Sequence, residues 1–120
     1  MRALLLPCEG IATVVDVPVD LAWLQARVGG LIEPVRLDQI LTDRGRVLVE
    51  ATMFVNETGK NDMLPLNPRA TDMATLAIGG WFHDVIMGDV VVLGQVDDEG
   101  DETPVPDKLV AAVRAWGWMA

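Results

Sequence analysis

The sequence predicts one α+β domain over residues 1–120, with a mostly antiparallel sheet and two or three helices. Strand-like and helix-like segments follow one another in the order β-β-α-β-β-loop-α-β-β-α, and strictly alternating βαβ units are missing. The 120 residues are 51% hydrophobic and include no internal repeat or low-complexity linker. They are therefore sufficient for a single well-packed core.

Strands are predicted from apolar runs and from the alternation of apolar and polar residues. In chain order they are Arg2–Leu6, Ile11–Val17, Leu31–Leu37, Val47–Val55, Val85–Met87 and Val90–Leu93. Val47–Val55 is the longest, and the wholly apolar Val90–Leu93 predicts a buried central strand. Pro34 confines its segment to a sheet edge or a bulge. Gly88-Asp89 predicts a turn within another hairpin or bulge.

Three segments are predicted to be helical. Asp20 can cap the first, because its side chain can accept a hydrogen bond from the first turn. Thr71 or Asp72 can cap the second in the same way. The third helix is expected over residues 107–118, after an acidic loop at residues 97–106.

The composition narrows the possible functions. The chain carries 18 acidic and 9 basic residues, a net charge of −9, which opposes direct binding to nucleic-acid backbones. Cys8 is the single cysteine, so no internal disulfide is expected, as suits a reducing cytosol. No apolar run approaches the roughly 18 residues that span a bilayer. We therefore expect a cytoplasmic protein that contacts neither nucleic acid nor membrane.

A polar loop between two apolar runs is the candidate binding site. It extends from residue 55 to residue 71 and contains a turn, two prolines and two side-chain amides near cations. Polar loops held by rigid flanking elements are common binding sites. The residues expected to bind a ligand are Asn56, Glu57, Lys60, Asn67, Arg69 and Thr71.

The first half of this loop has a functional and a structural interpretation. Gly59-Lys60 follows a strand, as in a phosphate-binding loop, but Phe54 and Asn61 stand where that motif requires Gly and Ser or Thr. The functional alternative is a polar lip over a ligand, with Lys60 as a point charge. The structural alternative is a β-turn with Gly59 in the left-handed region and Asn56 bonded to its own backbone.

The second half of the loop is equally open. Arg69 offers a planar donor fork, Asn67 an amide, and a helix beginning at Thr71 exposed N–H groups, which together could clamp an anion. The structural alternative is a helix cap and an Arg69 paired with Glu57 or Asp62.

Other side chains are expected to be structural. Cys8 and His83 could form a nucleophilic pair only if the fold joined them, and we expect a turn or core thiol and a polar residue before a strand. The acidic run Asp97–Glu102 lacks the spacing of an EF-hand loop, with Lys108 at its twelfth position, and should be an exposed loop. No Cys/His cluster has metal-ligand spacing. We expect no metal, cofactor or catalytic residue.

The tryptophans raise the question of self-association. They are Trp23, Trp81, Trp116 and Trp118. Large aromatic residues are enriched at interfaces, and the apolar chain end at Trp118-Met119 favours a homo-oligomer formed through the C-terminal helix or a sheet edge. The alternative is that each tryptophan covers an end of the sheet.

Several motifs, taken together and in order, resemble those of a known family. They are Leu21-x-x-Leu24-Gln25-x-x-Val28-Gly29-Gly30-x-Ile32-Glu33, Val55-Asn56-Glu57-x-Gly59-Lys60, Leu64-Pro65-Leu66-Asn67 and Gly88-Asp89-Val90-Val91-Val92-Leu93-Gly94. The chain resembles a family of small proteins, described only as a domain of unknown function, from actinobacteria, their phages and mobile elements of Gram-positive bacteria. The resemblance covers about residues 2–96. It implies a phage or mobile-element accessory protein and brings no activity or cofactor.

These observations predict a non-catalytic binding module that uses the loop at residues 56–71. Its partner would be a host protein or a small anionic ligand. One alternative is an acidic nucleic-acid mimic that inhibits a host DNA-binding defence protein. Another is a small enzyme, for which Glu33 and Glu57 are the best isolated carboxylates.

Overall fold

The described part of the chain, residues 1–78 and 84–119 of a computed structural model, forms five strands and three helices. The strands are β1 (Arg2–Leu6), β2 (Thr13–Asp16), β3 (Ile32–Thr42), β4 (Gly45–Asn56) and β5 (Val90–Gly94). The helices are α1 (Leu21–Val28), α2 (Pro68–Ile78) and α3 (Asp107–Ala115). The predicted α+β class is confirmed. No helix in these two ranges is both long enough and apolar enough to cross a membrane.

All five strands form one antiparallel sheet in the order β2-β1-β5-β4-β3. One row of paired residues crosses the whole sheet and packs into a single core: Val14, Leu4, Val92, Met53 and Val35. The row is apolar because its five side chains lie on the same core-facing side of the sheet, where the side chains of each strand recur at every second residue. The register therefore places the hydrophobic residues of distant segments side by side.

Helices cover both faces of the sheet. Leu109 and Val113 of α3 and Met73 of α2 are fully buried in the core on one face. Leu24 of α1 packs against Phe54 on the other face. Burying one such side chain stabilises the fold by roughly 1.5–3 kcal/mol, so these contacts fix the helices on the sheet.

Several predicted elements are confirmed. β4 is the longest strand, with 12 residues, and all residues of β5 are buried at the centre of the sheet. β3 lies at a sheet edge, as Pro34 requires. Asp20 caps α1, because its Oδ1 accepts a hydrogen bond from the Trp23 N–H at 2.8 Å.

The predicted hairpin between Val85–Met87 and Val90–Leu93 is wrong. β5 pairs with β1 and β4, and Met87 instead forms an isolated bridge with Leu66. Gly88 has a φ of 89°, a conformation that favours glycine. The chain therefore turns at Gly88, but the segment before the turn is directed to the polar loop.

The predicted start of α2 is also wrong, because the helix begins at Pro68 rather than after Thr71 or Asp72. Proline is favourable at the first helical position, where no N–H is needed. Asn67 occupies the cap position, since its Oδ1 accepts a hydrogen bond from the Ala70 N–H at 3.0 Å.

The C-terminal helix ends earlier than predicted, at Ala115. Gly117 has a φ of 79°, and the N–H groups of Gly117 and Trp118 donate to the carbonyls of Arg114 and Val113. This is a Schellman motif, which satisfies the last carbonyls of a helix. Trp118 and Met119 pack against the core. The apolar chain end thus has a role within the monomer.

The acidic loop is exposed from Asp97 to Asp101, but Glu102 is partly buried. Its Oε2 is occluded and has no hydrogen-bond partner among the described residues. Burial raises the pKa of the Glu102 carboxyl above its ordinary value of 4.5. A buried carboxylate without a partner destabilises the folded state.

We expect Glu102→Gln to become progressively more stable than the wild type as pH rises above the ordinary glutamate pKa of 4.5. Since the folded-state pKa is raised, the unfolded state releases the proton more readily, and the wild type loses stability as pH rises from that value through the folded-state pKa. Chemical denaturation at several pH values measures the difference. Glu99→Gln, in the exposed part of the loop, is the matched control and should show no such trend. A difference independent of pH would contradict the assignment.

Candidate functional site

The fold separates the predicted loop residues into two groups. Those that line an open cleft are Asn56, Glu57 and Lys60. Those that lie outside its lining are Asn67, Arg69 and Thr71. The fold therefore does not bring the six candidate residues to one cavity, and each group has its own structural explanation.

Asn56 ends β4 and ties it to the end of α1. Its side chain donates from Nδ2 to the Val28 carbonyl at 3.1 Å, and its Oδ1 accepts from the Thr58 N–H at 2.9 Å. The second bond is the predicted contact of Asn56 with its own stretch of backbone. Asn56 is only 6% exposed. Its amide is thus already occupied by the fold and shapes the cleft floor.

The loop after Asn56 is compact, although its glycine does not act as predicted. Gly59 is not among the residues with positive φ, whereas Met63 adopts a φ of 55°. A Cβ on Gly59 would lie 2.9 Å from the Met87 carbonyl oxygen. Glycine is required at position 59 because the loop passes close to residue 87, and not because of its backbone angle.

Asn67 is fully buried and joins three segments. Its Nδ2 donates to the carbonyls of Leu6 at 2.8 Å and Gly88 at 3.0 Å, while its Oδ1 caps α2 at Ala70. Both amide hydrogens and the amide oxygen are therefore used. No donor or acceptor of this side chain is directed to solvent, and it forms part of the scaffold.

Arg69 and Thr71 also contact the protein itself. Arg69 donates from Nη1 to the Gly10 carbonyl in the β1–β2 turn, and neither Glu57 nor Asp62 pairs with it among the described residues. The Thr71 hydroxyl donates to the Asn67 carbonyl and accepts from the Ile86 N–H, both at 2.9 Å. These bonds anchor α2 and the segment before β5.

The remaining candidate site is a cleft between two parts of the chain. One is the start of β3 with the end of β4 and the loop that follows it, and the other is the segment before β5. The cleft has a volume of about 280 Å³. Its lining includes three carboxylates, from Glu33, Glu57 and Asp84, and one ammonium, from Lys60. Its walls lie on strand ends and on a loop held by Asn56, so the polar groups are carried by rigid elements.

The Lys60 ammonium is paired with the Asp84 carboxylate. The hydrogen bond from Lys60, followed by that from the Val85 N–H, lowers the pKa of the Asp84 carboxyl below its usual range. Both side chains are exposed, so the pair adds little stability. The pair matters for the charge of the cleft, because Lys60 is then not paired with Glu33 or Glu57. Neither glutamate has a basic partner among residues 1–78 and 84–119.

The sequence did not place Asp84 or Met87 at this site. Asp84 lies 24 residues beyond Lys60, directly before the predicted strand Val85–Met87. The sequence offers Glu33 only as an isolated carboxylate. The long strand β3, which pairs Ile32 with Asn56, brings Glu33 to the cleft and is the signal that could have identified it.

Cys8 and His83 were expected to be structural residues and not a nucleophilic pair. His83, like Trp81 and the glycine pair at 79–80, lies outside the described residues. Burial, followed by the neighbouring Asp89 carboxylate, raises the pKa of the Cys8 thiol to about 11. A thiol of this kind is a poor nucleophile at neutral pH. The described residues hold no group of three or more potential metal-ligating His, Cys, Asp or Glu side chains.

Fold and site together define a small α+β protein with an acidic, open cleft at one end of its sheet. The chain belongs to the family described as a domain of unknown function (DUF3846), whose profile matches residues 1–116. A domain of unknown function is therefore confirmed, and its match includes α3. No curated protein and no solved structure matches the chain.

We expect Cys8 in the folded protein to react with iodoacetamide at pH 8 at least about tenfold more slowly than in the chain unfolded by urea. Only the thiolate attacks, and the raised pKa leaves little thiolate at that pH. Mass spectrometry of timed samples gives the rate. Asp89→Asn removes a nearby negative charge and should increase it. A folded-state rate equal to the unfolded-state rate would refute the inert assignment.

Proposed function

We propose that this protein is a non-catalytic binding module that captures a basic side chain of a partner protein in the cleft beside Lys60. In keeping with the family resemblance, we place it among the cytoplasmic accessory proteins of phages or mobile elements, with a host protein as the partner. The observation that supports this proposal most directly is the charge of the cleft.

The cleft charges favour a cation over an anion. Glu33 and Glu57 are exposed carboxylates without a basic partner among the described residues, and Lys60 is neutralised by Asp84. An incoming anion would meet two uncompensated negative charges, whereas a guanidinium or ammonium group would be attracted. Arg69, the other basic residue of the loop, lies outside the cleft lining and donates to the Gly10 carbonyl. The small anionic ligand is therefore the weaker candidate.

The geometry also favours a single side chain as the bound group. The volume of about 280 Å³ is at the lower end for a small-molecule site, for which about 300–1,000 Å³ is usual. A planar guanidinium can bond two carboxylates at once. Glu33 lies on β3, and Glu57 directly follows β4, on either side of the pairing of Ile32 with Asn56. In the proposed complex, one guanidinium bonds both carboxylates.

The test uses agmatine, which carries a guanidinium group, and inorganic phosphate as the opposite charge. We expect agmatine to cause saturable shifts of the backbone amide NMR signals of residues 57–61, and phosphate to cause none. The double variant Glu33→Gln/Glu57→Gln should weaken agmatine binding by about 1 kcal/mol, since exposed ion pairs each contribute about 0.2–1 kcal/mol.

The matched control is Asp98→Asn/Glu99→Gln, which removes the same total charge from the exposed acidic loop. It should leave agmatine binding within about twofold of the wild type. Equal weakening by both double variants would reveal a general effect of net charge and contradict the proposed site. Saturable phosphate binding at residues 57–61 would restore the anionic ligand.

A further inference from the structure

A second groove, which shares no described lining residue with the cleft, lies between α2 and the end of α3. It has a volume of about 280 Å³. Its lining among the described residues consists of Asp72, Thr75, Leu76, Trp116 and Trp118. Two indoles and one carboxylate therefore face the same small groove.

The two tryptophans form a corner. Their ring centroids are 4.8 Å apart, and the ring planes are inclined at 54°. Both side chains are partly buried against the core, so the rings do not move freely. Two inclined aromatic faces can contact a rounded group from two sides at once.

The backbone fixes this corner before any ligand arrives. The Trp118 N–H donates to Val113, within the Schellman motif at Gly117, and the Trp118 carbonyl accepts from the Ala12 N–H at 2.9 Å. Trp118 is thus held to α3 on one side and to the β1–β2 connection on the other. A preformed site of this kind does not have to be ordered on binding.

Asp72 supplies the charge. Its carboxylate is exposed on α2 and forms no ion pair with any residue in the ranges 1–78 and 84–119. The neighbouring Thr75 hydroxyl already donates to the Thr71 carbonyl. The groove therefore offers one exposed carboxylate and two aromatic faces. This lining suits a cation without N–H donors, because aromatic faces attract such a group without hydrogen bonds.

We propose that this groove binds the quaternary ammonium group of a small molecule. Such a group carries a positive charge and no N–H donor, and it is attracted by the faces of aromatic rings, most strongly by Trp. Asp72 adds electrostatic attraction at the rim. The inference is independent of the acidic cleft, because the two sites share no described lining residue.

The direct test compares choline with its neutral isostere, in which a tert-butyl group replaces the trimethylammonium group. The two have nearly the same shape, so their difference in affinity reports the charge. By calorimetric titration of the full chain, choline should bind about tenfold more tightly, the scale of a cation–π contact. Equal affinities would show a purely apolar groove and overturn the proposal.

Substitutions locate the site. Asp72→Asn should weaken choline binding several-fold, whereas Asp98→Asn, which removes the same charge from the exposed loop, should leave it unchanged. Trp118→Leu should abolish choline binding. Trp118→Phe keeps an aromatic face and should only weaken binding, and it serves as the test if the leucine variant does not fold. Chemical denaturation of each variant checks the fold. A control variant that weakens binding as much as Asp72→Asn would refute the assignment.

Two further measurements distinguish other occupants. A peptide bearing trimethyllysine that binds while choline does not would assign the groove to a protein partner and overturn the small-molecule source. A mass in solution that rises with protein concentration, and falls to the monomer value in Trp118→Phe, would show that a second copy covers the groove and would also overturn the proposal.

Discussion

The hydrogen bonds of the Asn67 side chain join the end of β1, the turn before β5 and the first turn of α2. These three segments are distant in sequence and define where the central strands and one covering helix meet. Each donor and acceptor is buried, and a buried polar group left without its partner costs about 1–3 kcal/mol. This one amide therefore positions the start of α2, which the burial of Met73 then holds against the sheet.

The hydrogen bonds of Asn67 also determine which part of the polar loop can contact a ligand. Because Asn67, Arg69 and Thr71 hold the second half of the loop to the domain, only the first half faces the cleft. The charges left there are mainly negative, which is why we propose a cation as the bound group although the loop contains Lys60 and Arg69. A loop rich in polar residues thus serves as scaffold over one half of its length and as candidate site over the other.

The sequence predicts the parts of this fold that depend on local pattern. Alternation identified β4 and the apolar run identified β5, because burial imposes the pattern directly. The sequence also contains a local signal for the cap at Asn67, since Asn followed by Pro is favourable at a helix start. Its other partners, Leu6 and Gly88, lie 61 and 21 residues away. Contacts over such separations depend on sheet order, which periodicity does not encode, and the cleft pair of Lys60 with Asp84 was missed for the same reason.

Asn67 belongs to the scaffold, and the candidate site lies elsewhere in the loop. The most direct measurement is the free energy of unfolding, by urea denaturation, of Asn67→Ala beside Asn61→Ala. Asn61 is an exposed amide of the same loop that lines the cleft. We expect Asn67→Ala to lose roughly 2–4 kcal/mol, from two unsatisfied buried carbonyls and a lost cap, and Asn61→Ala to lose less than about 0.5 kcal/mol. Losses of equal size, or a loss below about 0.5 kcal/mol for Asn67→Ala, would contradict the account.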